Sequence, residues 1–291
     1  MKGACGFSGK KGNETTEPAA SRAIKGANGF SDNEREMTMR IGAQLYTVRD
    51  FCRNLEDFEE TLKKIADIGY EYVQVSGTCA YEANWLAEKL AANGLACALT
   101  HYNGERIRTE TAKVIDEHKI FGCRLIGVGS LPGGFDAPDA FDRFIREYRE
   151  PAGMIAEKGL YFMYHNHQFE FAKDKSGLRG IEKMAESFSP SEMGFTLDAY
   201  WIQFAGADPA LWIRNLSGRV PAIHLKDMAI EGGTQKMAVV GEGNINFGRV
   251  LYEAENAGTE YLLVEQDNCN GEDPFECLRR SRKQLNSWGL N

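Results

Sequence analysis

Phe162-Met163-Tyr164-His165-Asn166-His167-Gln168-Phe169-Glu170-Phe171 reads as a buried strand that ends in two imidazoles and a carboxylate within six residues. Such groups are costly to place inside a protein unless they bind something. Working outward, other apolar runs carry polar residues at their ends in the same way: Gly194-Phe-Thr-Leu-Asp198, Val220-Pro-Ala-Ile-His-Leu225 and Tyr261-Leu-Leu-Val-Glu265. If the histidines face one cavity with Asp198, His224 and Glu265, the chain carries a divalent-metal site. The rest is then the scaffold that brings those segments together.

The scaffold is legible as a repeat that begins near Met39. Ile41 to Tyr46 is a first strand, followed by a helix from Leu55 to Ile68 whose Leu55, Phe58, Leu62, Ile65 and Ile68 recur at helical spacing, with Gly69 closing it. The same unit recurs as strand Tyr72–Val75 with a helix over Tyr81–Ala92, strand Leu95–Thr100 with a helix over Thr109–Phe121, and strand Arg124–Val128 with a helix over Pro138–Lys158. The second half continues with strand Leu160–His165 and a helix over Gly177–Phe188, then strand Gly194–Asp198 and a helix over Pro209–Leu216. Strand Val220–Leu225 is followed by a long polar loop and a helix over Asn246–Ala257, and strand Tyr261–Glu265 by a helix over Asp273–Trp288. Eight strand-helix units of roughly 30 residues predict an α/β protein of the (β/α)₈ TIM barrel type. A doubly wound open sheet ranks behind it, because no Gly-x-Gly-x-x-Gly turn follows any strand.

In such a barrel the active site lies at the C-terminal strand ends. That rule selects Gln44 and Tyr46 on the first strand, His101 on the third, His165 and His167 on the fifth, Asp198 on the sixth, His224 and Lys226 on the seventh, and Glu265 and Asp267 on the eighth. His118 falls in the third helix and reads as a surface residue. Two carboxylates and an imidazole on consecutive strands suit Mn²⁺, Mg²⁺, Co²⁺ or Zn²⁺, and the lack of thiolate ligands speaks against a structural zinc. Each residue taken alone reads rather as a separately hydrogen-bonded strand end, and it is the three on consecutive strands that point to a metal.

Bulk properties narrow the function. The chain has 291 residues, 43% of them hydrophobic and 11% aromatic, enough for a large core. Its formal charge of −8 leaves no basic face for a nucleic-acid backbone. No apolar run approaches the roughly 20 residues of a membrane span, so the body is not membrane-embedded. The seven cysteines, Cys5, Cys52, Cys79, Cys97, Cys123, Cys269 and Cys277, are irregularly spaced without a C-x-x-C and read as free apolar fillers. Residues 1–39 are Gly, Ser, Lys, Glu and Thr with little apolar periodicity and read as a flexible leader ahead of the barrel, residues 40–291. Gly3-Ala4-Cys5 resembles the region after a lipoprotein cleavage site, which places the protein either lipid-anchored in a bacterial periplasm through Cys5 or in the cytoplasm, with Cys5 an ordinary tail residue.

Gly194-Phe-Thr-Leu-Asp-Ala-Tyr-Trp201, Val220-Pro-Ala-Ile-His-Leu-Lys-Asp-Met228, Tyr164-His-Asn-His-Gln-Phe-Glu-Phe171, Val240-Gly-Glu-Gly-Asn-Ile-Asn-Phe247 and Leu263-Val-Glu-Gln-Asp267 together resemble the xylose-isomerase-like sugar phosphate isomerase/epimerase superfamily over about residues 40 to 290. The resemblance implies one divalent metal at the barrel rim, held by Asp198, His224 and Glu265, with His165 at the position where the family carries a fourth ligand, a glutamate. It implies a sugar isomerase or epimerase that moves a proton through a metal-stabilised enediolate, with a small-molecule sugar as partner, and leaves a homo-oligomer open. The Tyr-His-Asn-His variant resembles a branch that includes enzymes of keto-glycosides, so a lyase or hydrolase using the same metal is a second reading. A sugar-binding protein that kept the barrel and lost its base is a third.

Under these readings Glu265, His165 or His167 takes the proton, and Lys226, on the side of the strand that carries His224, neutralises an anionic oxygen or forms a rim salt bridge. Glu170 holds a substrate hydroxyl or orients His167. Tyr200, Trp201 and Phe169 pave the pocket or belong to the core, and Gln44, Tyr46 and His101 complete the substrate-facing rim. Gly241-Glu242-Gly243-Asn244 is a rim or lid element rather than a phosphate cradle.

Overall fold

The computed structural model describes residues 39–290. Cys5 and the leader lie outside these residues. Eight parallel strands close into a barrel: β1 (Arg40–Gln44), β2 (Tyr72–Val75), β3 (Ala96–His101), β4 (Leu125–Val128), β5 (Tyr161–His165), β6 (Met193–Asp198), β7 (Ala222–Leu225) and β10 (Tyr261–Val264). The ring shuts where β1 pairs with β10 on one side, Ala43 opposite Val264, and with β2 on the other, Gln44 opposite Gln74.

The local chemistry explains why the repeat folds this way. In the first helix, Leu55–Ile68, the Asn54 side chain accepts from the Asp57 N–H, Phe58, Leu62 and Ile65 are buried, and Gly69 ends the helix at φ 101°. Burying each of those side chains contributes about 1.5–3 kcal/mol. Along the strands the side chains alternate between the helix layer and the barrel interior. Phe162 and Tyr164 pack on Phe144 of the helix Ala140–Glu157. Met163 joins Ala98, Leu99, Leu125, Ala222 and Leu263 in a separate interior cluster, against which Tyr72, Tyr161 and Tyr261 pack. His165, next in the inward series, stands above that plug at the C-terminal mouth.

Four features differ from the sequence reading. The helix expected over Thr109–Phe121 is two, Gly104–Thr109 and Thr111–Ile120, because Glu110 adopts φ −126°, ψ 33° between them. A short helix, Ala199–Phe204, follows β6 directly, its first turn capped by Asp198 through the Trp201 N–H. The polar loop expected after β7 contains an antiparallel hairpin of β8 (Asp227–Glu231) and β9 (Thr234–Ala238). Its two-residue turn is Gly232-Gly233, at φ 56° and 79°, the positive values that a type I′ hairpin turn requires at both positions.

The fourth correction is His118, which is fully buried rather than on the surface. Its Nδ1–H donates to the Val114 carbonyl at 2.7 Å, and its Nε2 accepts from the Thr100 hydroxyl at 2.8 Å. Burial lowers its pKa from 6.5 to about 4. The unfolded chain therefore binds this proton at a higher pH than the folded one, and stability is lost as pH falls from about 6.5 through 4. That share corresponds to about 3 kcal/mol, and a pH series of thermal melts is expected to show a fall shallower by about that amount in His118→Gln than in the parent.

All six cysteines among the described residues are free, with Cys52, Cys97, Cys123 and Cys277 buried. Among those residues no helix is long and apolar enough to cross a membrane.

Candidate active site

Alternation delivers one inward polar side chain from the top of nearly every strand. His165, Asp198, His224 and Glu265, from β5, β6, β7 and the end of β10, are all buried, and one ligand atom from each lies within 4.8 Å of the others. That is close to the span of ligands set about 2.0–2.2 Å from one ion. Asp198 Oδ2 is 3.3 Å from His165 Nε2 and 3.5 Å from His224 Nδ1, and Glu265 Oε2 is 2.7 Å from His224 Nδ1.

The tautomers fit the same purpose. His165 uses Nδ1–H to donate to the Gly129 carbonyl at 2.9 Å, which turns the lone pair of Nε2 toward Asp198. His224 uses Nε2–H to donate to Gln74 Oε1 at 2.7 Å, which turns Nδ1 toward the two carboxylates. Anchoring the far nitrogen of a histidine in this way is the usual support of a metal ligand. His224 Nδ1 and Glu265 Oε2 thus face each other across the point where the four residues meet. Burial opposes charge on His224, but Glu265 and Asp198 overcome it and lift the imidazole to about 9. These four residues could hold a metal ion.

A lysine stands in the same cluster. Lys226 is 1% exposed, and its Nζ lies 2.9 Å from Asp198 Oδ2, 2.8 Å from Glu265 Oε2 and 3.1 Å from Asp267 Oδ2. Burial works against its charge, and the three carboxylates more than compensate. In return, although burial raises carboxylate pKa values, Lys226 holds Asp198 and Glu265 well below the ordinary range. Asp267, raised to about 7 by burial and by Glu265, is the only weak acid of the three.

Around this centre several polar atoms are out of solvent contact and unpartnered: Gln44 Nε2, Gln74 Nε2, His101 Nε2, His167 Nδ1 and Trp201 Nε1. They form a lining able to bond the oxygens of a polyhydroxylated ligand. The His101 ring lies 4.9 Å from that of His165 and 5.5 Å from that of His224. It reaches this position because residue 129 is glycine: a Cβ there would come within 2.9 Å of His101 Nδ1. His167 lies 4.9 Å from His165 and 5.3 Å from Trp201, whose ring is also 5.5 Å from Lys226 Nζ.

The remaining candidates divide. Tyr46 belongs to a tight helix, Leu45–Phe51, on the rim, with the Arg49 guanidinium 4.4 Å over its ring. Arg49 also donates to the Asp267 carbonyl. Tyr200 is buried and packs on Trp201. Phe169 is 47% exposed and stacks on Phe135 at 4.3 Å, outside the inner lining. Glu170 lies on the helix side of β5, fully buried, where one oxygen accepts from the Tyr164 hydroxyl and the other from the His167 N–H. It shapes the loop that carries His167, and its carboxylate is spent there rather than on a substrate hydroxyl.

Three supporting residues were not singled out from the sequence. Gln74 was hidden as a polar residue within an apolar strand, although the two-residue alternation places it inward beside Gln44. Asn166 accepts from the Asp198 N–H at 3.0 Å and so ties β5 to β6. Asp227 gathers four backbone N–H groups, from Met228, Gly241, Gly243 and Ile245, at 2.7 to 3.2 Å. It thereby fixes the Gly241-Glu242-Gly243-Asn244 segment against the mouth. Gly243 is needed there, since a Cβ would meet Asp227 Oδ1 at 2.4 Å.

A cleft of about 400 Å³ opens at the opposite, N-terminal end, lined by Leu160, Tyr161, Val220 and Pro221. Its Arg124 and Glu260 neutralise each other at 2.5 Å, and none of the residues above reaches it.

A family profile described as xylose isomerase-like TIM barrel matches residues 62–285. An inosose dehydratase of Geobacillus thermodenitrificans (strain NG80-2) is 24% identical over 267 residues, covering 78% of this chain and 88% of that protein. The crystal structure of a sugar phosphate isomerase/epimerase from Parabacteroides distasonis ATCC 8503 superposes with a TM-score of 0.71 at 21% identity, over 90% of this chain and 97% of that one. The probable 3-DHS dehydratase involved in petrobactin synthesis from Bacillus anthracis superposes with a TM-score of 0.64 at 14% identity, over 85% and 99%.

Proposed function

Because the chain belongs to the xylose isomerase-like TIM barrel family, we propose that it is a divalent-metal-dependent enzyme that moves a proton beside the carbonyl of a sugar or cyclitol, so as to isomerise or epimerise it. The observation that carries this reading is the convergence of His165 Nε2, Asp198, His224 Nδ1 and Glu265 on one point, with both histidine tautomers set from behind. A divalent ion held by these four residues would act as a Lewis acid on adjacent substrate oxygens. Glu265 or His167 takes the carbon-bound proton. Lys226, beside Glu265, neutralises the oxygen that gains charge. The nitrogens of Gln44, Gln74, His101 and Trp201 hold hydroxyls and fix which carbon faces the base.

A second reading is favoured by a specific observation. Epimerisation through two carboxylates needs a second glutamate, and the end of β5 carries His165 instead, whose lone pair points to the ligand cluster. With one carboxylate base, proton removal followed by departure of a hydroxyl or glycosidic oxygen two carbons from the carbonyl, as in a lyase, also fits the site. The similarity to proteins named inosose dehydratase supports it.

Both readings are tested by one experiment. Mn²⁺-loaded protein is incubated in D₂O with aldoses, ketoses, an inosose and 3-keto-glycosides, and the products are followed by NMR. Deuterium at the carbon beside the carbonyl in an isomerised or epimerised sugar is the expected result. Release of water or aglycone with an unsaturated product assigns the lyase reading. Protein that binds Mn²⁺ and sugar without exchanging any carbon-bound hydrogen overturns both readings and leaves a binding protein.

A further inference from the structure

We propose that Lys226 sets the affinity of the candidate metal centre by competing with the ion for Asp198 Oδ2 and Glu265 Oε2, and that Asp267 is the residue that draws the lysine away. The inference rests on the metal reading above and concerns the buried lysine of the site.

The geometry places the ammonium on the very oxygens offered to the ion. Nζ is 2.9 Å from Asp198 Oδ2 and 2.8 Å from Glu265 Oε2, and these same two atoms face His224 Nδ1 at 3.5 and 2.7 Å. A carboxylate oxygen has lone pairs enough for both an N–H donor and an ion, so sharing is stereochemically allowed. Electrostatically it is opposed, because two cations a few ångströms apart repel strongly even with an effective dielectric constant of about 20. Among the described residues every polar partner of Nζ is a carboxylate of this cluster, and no backbone carbonyl anchors it. Its position therefore follows the charge balance of the cluster.

Asp267 is the remaining partner and stands outside the donor set. It is 3.1 Å from Nζ, its side chain is 22% exposed against 0% for Asp198 and 5% for Glu265, and its Oδ1 has no partner. It thus offers the ammonium an acceptor on the solvent side of the ligands. A purely structural lysine would need all three acids equally. A competing one makes two opposite predictions, one for itself and one for Asp267.

Calorimetric titration with Mn²⁺ distinguishes them, using the full chain as the parent, Lys226→Met, Asp267→Asn and the double variant. Lys226→Met is expected to tighten Mn²⁺ binding roughly tenfold or more, and to lower the melting temperature without metal while saturating Mn²⁺ restores it. Asp267→Asn is expected to weaken binding about fivefold, because the lysine then stays on the ligands. In the double variant the Asp267→Asn effect is expected to shrink to within about twofold, the coupling that a double-mutant cycle isolates. Should Lys226→Met fail to fold, Lys226→Gln makes the same comparison. Unchanged or weaker binding on losing the lysine overturns the proposal, as does a full Asp267→Asn effect in the double variant. A parent protein that binds no Mn²⁺ overturns the metal reading itself, and this proposal with it.

Discussion

Asparagine in place of Asp198 is expected to reduce stoichiometric Mn²⁺ binding to background and to lower turnover roughly a thousandfold, the scale of losing a Lewis acid worth several kcal/mol. Asp198 is the hinge of the cluster: its Oδ2 lies within 3.5 Å of both ligand histidines and of Lys226. Asparagine keeps the oxygen that caps the helix Ala199–Phe204 through the Trp201 N–H, so the local fold is retained. What it removes is the charge that attracts an ion. Binding to the folded state alone stabilises a protein, by about 2.7 kcal/mol at a hundredfold excess over Kd, and that increment should vanish in the variant. Metal analysis after dialysis and melts with and without Mn²⁺ check both parts. Unchanged stoichiometry would remove Asp198 from the site.

The largest stability effect outside the centre is expected at Asp227. Replacing it by alanine leaves four backbone N–H groups without their acceptor in a buried environment. Unsatisfied groups of this kind cost about 1–3 kcal/mol each, partly relieved by entering water, so the net loss should be about 3–5 kcal/mol. For a barrel of this size that lowers Tm by on the order of 10 °C. Proteolysis should open first within residues 239–246, the segment that Asp227 holds. A melting temperature within about 2 °C of the parent would show that water replaces the carboxylate at little cost.

The barrel and the convergence of His165, Asp198, His224 and Glu265 were legible because both follow from alternation. A strand buried on both faces reads as an apolar run, and a polar residue at its end stands out, as Asp198 and Glu265 do. The supports behind the ligands were less legible. Gln74 sits among valines and a tyrosine, and its meaning depends on His224, which the ring brings beside it. His118 was readable in principle: four residues after Val114, it shares the face that buries Val114 and Ile115. The chemical expectation that histidines are exposed outweighed the helical period. For Glu170 the sequence left open a substrate hydroxyl or the support of His167, and the turn after β5 places it on the outer side with Tyr164, where it accepts from the His167 N–H. The hairpin was missed because β8 and β9 lie outside the barrel and bury no continuous apolar face, although Gly232-Gly233 is the kind of pair that closes such a turn.

The hydrogen bond from His224 to Gln74 joins residues 150 positions apart, and its two ends belong to strands separated by β1 and β10 in the closed ring. His165 finds its anchoring carbonyl at Gly129, only 36 positions back, whereas His224 is aimed only once the ring is complete. An ion held by this cluster would accordingly be captured late in refolding, and the time course of Mn²⁺ uptake would serve as a clock for the moment the first and last staves of the barrel meet.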